Sequence, residues 1–210
     1  MNENKLQILA DVCATQYSSQ LLDILNDKNI NHSLRILECE TLKDAHVYCL
    51  VNRLSGQQTG PLIEKFIIHK GGMRKINASE CQGDGKYNEN YVEIKASLGG
   101  QNRNKFNFVQ IRPLHHVEYY ILTAYYLDWS NIIENGELFV FLVKKPNMIN
   151  LLEKYGSYAH GTIKQLGKIS KESILNSSNV EYALRPTYGD DLWSNLLEYR
   201  YTNSDLPIEF

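Results

Sequence analysis

The apolar residues of this sequence change period at Gly71-Gly72, from helical spacing before the pair to alternation after it. A helix repeats its buried side every 3.6 residues and a strand every second residue, so this change limits the fold to classes that put helices ahead of a sheet. Leu6, Ile8, Leu9, Val12 and Cys13, followed by Leu21, Leu22, Ile24 and Leu25, predict a helix over 4–27. A turn-rich stretch over 26–33 precedes a second helical segment around 41–54. Ser55-Gly56 and Thr59-Gly60-Pro61 mark a break, with Thr59 or Gly60 capping a helix that carries Pro61 in its first turn. This helix presents Leu62, Ile63, Phe66 and Ile67 and ends at the glycine pair.

Beyond it, Val92, Ile94 and Ala96 alternate with Tyr91, Glu93 and Lys95, and the turn formers of 83–90 predict a hairpin leading into that strand. Residues 106–112 are ambiguous. Val117 to Leu127 and Leu138 to Val143, rich in β-branched and aromatic residues, read as strands, and 147–155 and 190–200 as helices. The expected architecture is a single α/β or α+β domain: helices, three to five strands, then helices.

A chain of 210 residues with 43% hydrophobic and 22% charged residues can bury a core, which excludes a mainly disordered protein. No run approaches the roughly 18 apolar residues of a membrane span, and the N-terminus lacks the pattern of a signal peptide, so a cytoplasmic protein is expected. Cys13, Cys39, Cys49 and Cys81 form no CxxC pair, which argues against a zinc cluster or a disulfide scaffold. The net charge of −2 is segregated: residues 64–112 carry 9 basic and 5 acidic side chains, and 144–171 carry 6 and 1. Residues 113–143, between them, carry 4 acidic and no basic ones. Two basic blocks can form a positive surface facing a polyanion, although charge also fluctuates along any chain. Nucleotide-binding glycine loops, a GxSxG elbow and zinc-spaced histidines are absent.

One window carries a chemical pattern, Gly83-Asp84-Gly85-Lys86-Tyr87-Asn88-Glu89-Asn90-Tyr91-Val92-Glu93-Ile94-Lys95-Ala96-Ser97. Alternation puts Glu93 and Lys95 on one face, their β-carbons about 6–7 Å apart. A hairpin would bring Asp84 beside Glu93, so that two carboxylates and an ammonium converge at one end of the strand pair. Hard oxygen ligands of this kind suit Mg²⁺, and a lysine two positions along can orient or deprotonate a water or stabilise charge on a phosphate. Acid-x-Lys occurs three times, at Glu3–Lys5, Asp84–Lys86 and Glu93–Lys95, and only the third lies in an apolar strand frame after an acid in a turn. The alternative is an ordinary ion pair on an exposed strand face.

The arrangement of Gly83-Asp84 and Tyr91-Val92-Glu93-Ile94-Lys95-Ala96-Ser97 resembles the PD-(D/E)xK nuclease superfamily, and most of all its type II restriction endonucleases, over about residues 60–145. Gly83 stands where that pattern has proline. The resemblance implies a restriction-endonuclease-like α/β core, a central mixed β-sheet flanked by helices. It would be one endonuclease domain over 1–210, with a helical part at 1–58, a catalytic core at 59–145 and a helical, DNA-recognising part at 146–210. It further implies that Asp84, Glu93 and the Ile94 carbonyl hold Mg²⁺ and that Lys95 positions water or stabilises charge. Glu64 would add a carboxylate from the preceding helix, its alternative being a solvent-facing glutamate. The implied partners are double-stranded DNA, a second copy of the chain and a methyltransferase that protects the host DNA.

Polar segments supply candidate DNA contacts, each with a plain surface role as its alternative. Ser97 follows the strand, and Asn102, Arg103 and Lys105 lie in a polar run after Gly99-Gly100. His115 and His116 precede the tyrosine-rich strand. His160, Thr162, Lys164 and Gln165 belong to a glycine-containing basic segment, and Arg185 follows further on. Arg, Lys, Asn and Gln read base edges, while hydroxyls and lysines hold phosphates. The rival functions are a DNA-repair or junction-resolving nuclease with the same site, and a non-catalytic DNA-binding protein.

Overall fold

The computed structural model describes residues 31–77, 79–99, 104–127, 136–177 and 179–201. The helix expected over 4–27 lies outside them, as do Asn102 and Arg103. Two capping boxes start the helices ahead of the sheet. Thr41 Oγ1 accepts the Asp44 N–H at 3.1 Å while the Asp44 carboxylate accepts the Thr41 N–H at 3.1 Å, opening helix α2, Leu42–Val51, after the short helix α1, His32–Arg35. Ser55 and Gln58 exchange the same pair of bonds at the start of α3, Gly56–Lys70. Helix α3 therefore begins upstream of the expected Thr59 or Gly60 cap, and Pro61 lies inside it. The reason is reciprocal: the Ser55–Gln58 box satisfies two orphan donors, whereas the Thr59 side chain is buried. The missing Pro61 N–H leaves the Gln57 carbonyl without its helical donor.

Among the described residues, eight strands follow in two sheets. β1 (Arg74–Lys75), β2 (Gly85–Tyr87), β3 (Asn90–Ser97), β5 (Tyr119–Tyr126) and β6 (Glu137–Lys144) form a five-stranded sheet in the order β1-β2-β3-β5-β6. The β3–β5 pair is parallel and the others antiparallel, so the sheet is mixed. Its two faces read directly from the alternation. Val92, Ile94, Ile121, Tyr125 and Val140 pack with α2 and α3, and Tyr120, Leu122, Ala124, Phe139, Phe141 and Val143 pack on the other side. The second face is covered by α4 (Lys145–Tyr155) and α7 (Asp191–Leu197), with Trp193 stacked on Phe106 at 5.0 Å and edge-on to Phe139 and Phe141. Each such fully buried large side chain contributes about 1.5–3 kcal/mol to folding. β5 is buried on both faces, which is why its sequence is apolar and aromatic apart from Thr123.

The C-terminal part differs from the expected helices with irregular connections. Besides α5 (Ile163–Leu166) and α6 (Lys171–Asn176), it supplies β7 (Ser157–Tyr158) and β8 (Tyr182–Leu184). These pair with β4 (Phe108–Ile111), the ambiguous 106–112 stretch, in a second sheet of order β4-β8-β7. No helix among the described residues is long and apolar enough to cross a membrane.

Candidate functional site

β2 is short and pairs with β3 only over Asn90–Val92, so β3 beyond Val92 has a strand neighbour on one side alone. Asp84 terminates that ladder. Its N–H donates to the Val92 carbonyl at 2.8 Å, and its Oδ2 accepts the Ile94 N–H at 2.7 Å in place of a strand carbonyl. N–H and C=O of one strand residue point to the same side, so the Ile94 carbonyl faces the open edge as well. Gly83 makes this close approach possible. It has φ +76°, and a β-carbon there would stand 2.6 Å from the Val92 carbonyl oxygen. Proline, locked near φ −65°, has no place at this position.

A cavity of about 560 Å³ lies along the open edge. Glu64 reaches it from α3 on one side of the sheet, and Glu93 and Lys95 line it from the opposite face of β3. Asp84 and Ile94 border it between them. Glu93 is only 5% exposed and is ion-paired with Lys95. Burial raises the Glu93 pKa, against the pull of Lys95 and with the added push of Asp84. Burial also pushes Glu64 up to about 7, helped by the Asp84 charge and opposed by Lys75 and Lys95. Together with Glu80, four carboxylates thus line one cavity, and burial disfavours the charged form of two of them, Glu64 and Glu93. Tyr120, the cross-strand partner of Glu93, is fully buried, its hydroxyl bonded to none of the described residues, and burial and then the Glu93 charge raise its pKa.

This donor set fits a hard divalent cation. Carboxylate oxygens and a free-edge carbonyl are the ligands Mg²⁺ takes, and its charge would offset the burial that lifts Glu64 and Glu93. Among the described residues no three Asp, Glu, His or Cys side chains are drawn together as a ready-made metal cage. One Glu93 oxygen engages Lys95, and one Asp84 oxygen engages the strand backbone.

The other candidates divide. His115 and His160 line the same cavity. Burial lowers the His115 pKa, aided by Arg112, Lys95 and Lys145, while His160 is exposed and stands 3.6 Å from Glu181. Ser97 Oγ accepts the Asn107 N–H at 3.1 Å and closes the end of β3. His116 lines a separate cavity of about 360 Å³ with Lys144 and Lys145. Lys105 bridges to Thr187, and Thr162 donates its N–H and hydroxyl to Gln165 at the start of α5, beside exposed Lys164. Arg185 donates to Ser157. None of these five side chains, from Lys105 to Arg185, borders the cavity. Instead the structure adds Gln57, Gln110 and Arg112, which the sequence reading passed over. Gln110 and Arg112 alternate with apolar Val109 and Ile111 inside the ambiguous stretch, and that alternation was the available signal.

No protein-family model, no curated protein and no solved structure matches the chain.

Proposed function

We propose that the protein is a Mg²⁺-dependent endonuclease of the type II restriction kind, with a restriction-endonuclease-like core, hydrolysing double-stranded DNA at a short specific sequence. The observation that carries this reading is the gathering of Glu64, Asp84, Glu93 and Lys95 around one cavity at the free edge of β3. Asp84, Glu93 and the Ile94 carbonyl would hold the cation, with Glu64 as a further carboxylate. Mg²⁺ bound there supplies charge for the phosphate oxygens and lowers the pKa of water. Lys95 stands two residues along from Glu93 and orients the attacking water or neutralises charge on the scissile phosphate. The oxygen of water bonds to phosphorus as the bond to the 3′ oxygen breaks, giving 5′-phosphate and 3′-hydroxyl ends. Lys95 and Arg112 bring positive charge to the cavity beside its carboxylates, and His115 and His160 add polar groups that can contact the DNA backbone. A cytoplasmic homodimer acting on a palindrome, with a partner methyltransferase, completes the proposal.

The test is incubation of long unmethylated duplex DNA with the protein in Mg²⁺ or in EDTA, beside Lys95→Ala. Discrete fragments that need Mg²⁺ and vanish in the variant are expected. A smear points to a repair-type nuclease. Intact DNA, including branched and nicked substrates, reduces Glu93–Lys95 to a structural ion pair in a binding protein.

A further inference from the structure

We infer that Gln110 is a specificity-determining residue that reads an adenine in the DNA; the inference rests on the nuclease reading above. Strand β4 is pinned to β8 at Phe108↔Leu184 and Ile111↔Tyr182, so two residues of β4 face one of β8. This is a β-bulge, and Phe108 and Ile111, both fully buried, hold its two ends. Between them Gln110 has φ +59°, a left-handed conformation that favours Gly and, after it, Asn or Asp. Nothing in the packing asks for glutamine there, because the residue is exposed and Val109 fills the half-buried position beside it. A residue that costs stability where glycine would cost less points to a use for its side chain.

The bulge turns that side chain toward the cavity that holds Glu93 and Lys95. Its neighbours on this wall are already engaged: Arg112 donates twice to Glu181, and His160 approaches the same carboxylate. The Gln110 amide makes no hydrogen bond to any described residue. A planar group with one donor and one acceptor side matches the N6 donor and N7 acceptor that adenine presents in the major groove. Bulges beside active sites commonly re-aim a side chain in this way, and two buried anchors give the amide a fixed bearing relative to the cleavage site.

The experiment is cleavage of a randomised duplex library in Mg²⁺ with sequencing of the ends, for the wild type, Gln110→Ala and Gln110→Gly. The wild type should select a motif containing adenine, and both variants should lose discrimination at one adenine position by about 5- to 150-fold, the worth of one bidentate contact. Gln110→Gly should also melt about 2–4 °C higher, since it relieves the positive φ, which separates lost readout from damage to the fold. An unchanged motif in both variants, or a wild-type motif without adenine, overturns the role of Gln110 and leaves the nuclease reading standing. No cleavage by the wild type overturns the nuclease reading itself and this inference with it.

Discussion

His46 and Glu93 are both buried polar residues packed against β5, and they are treated in opposite ways. His46, on the helix that is buried nearly all round, is fully enclosed. Its Nδ1 lies 2.8 Å from the Leu42 carbonyl and its Nε2 3.0 Å from Thr123 Oγ1, so both ring nitrogens are satisfied. Glu93, on the other face, has one oxygen held by Lys95 and otherwise borders a cavity. A group that only supports the fold is closed on every side, whereas a group with work to do at a surface keeps part of its bonding capacity for a ligand. The same carboxylate that weakens the fold by its burial is the one whose charge a cation would welcome.

Removing a carboxylate from the same cavity should abolish cleavage without unfolding the protein. Asp84→Asn is expected to lower Mg²⁺-dependent cleavage by about 10³-fold or more while the circular dichroism spectrum and melting curve stay near those of the wild type. A folded variant that retains wild-type cleavage would place the chemistry elsewhere. Removing the closed group should do the reverse. His46→Ala empties a packed site and strands the Thr123 hydroxyl, with an expected loss of about 3 kcal/mol in urea unfolding. A loss below about 1 kcal/mol would show that His46 is not the keystone its bonds suggest.

The pH dependence sharpens the contrast. Burial lowers the His46 pKa to about 4, against the opposing bond to the Leu42 carbonyl. The unfolded chain, with an ordinary histidine pKa near 6.5, therefore binds more protons than the fold between these values. The His46 contribution to stability is complete above about pH 6.5 and falls by about 3 kcal/mol as pH drops toward 4. In His46→Gln that part of the decline should vanish, and an unaltered pH profile would refute the assignment. The smallest effect is expected at a cap outside both sites: Thr162→Ala should cost about 0.5–1 kcal/mol in the same unfolding measurement and leave cleavage unaffected.

How much of this was legible in the sequence depended on segment length. The alternation of Val92, Ile94 and Ala96 and the turn formers before it announced the hairpin, and with it the proximity of Asp84, Glu93 and Lys95. Glu64 came only from the resemblance, as a glutamate on the helix before the hairpin. The second sheet was invisible, because Ser157–Tyr158 and Tyr182–Leu184 are too short to carry a period. Nor does the sequence around Gln110 reveal a bulge, since φ +59° at a glutamine has no residue signature. The helix start at Ser55 was missed because Thr59-Gly60-Pro61 is a strong break pattern in isolation, and only the Ser55–Gln58 box outweighs it. Thr162 and Gln165 are bonded to each other at the start of α5, a pattern that the Thr-x-x-Gln spacing already contained.

The central claim is that the free edge of β3 is a divalent-cation site built by Asp84 and its neighbours. Mn²⁺ serves as a paramagnetic stand-in for Mg²⁺, and its binding can be followed by electron paramagnetic resonance in the wild type, Asp84→Asn and His46→Gln. The account predicts saturable Mn²⁺ binding, displaced by Mg²⁺, in the wild type and His46→Gln, and its loss in Asp84→Asn. Equal binding by all three proteins, or none by the wild type, would contradict it.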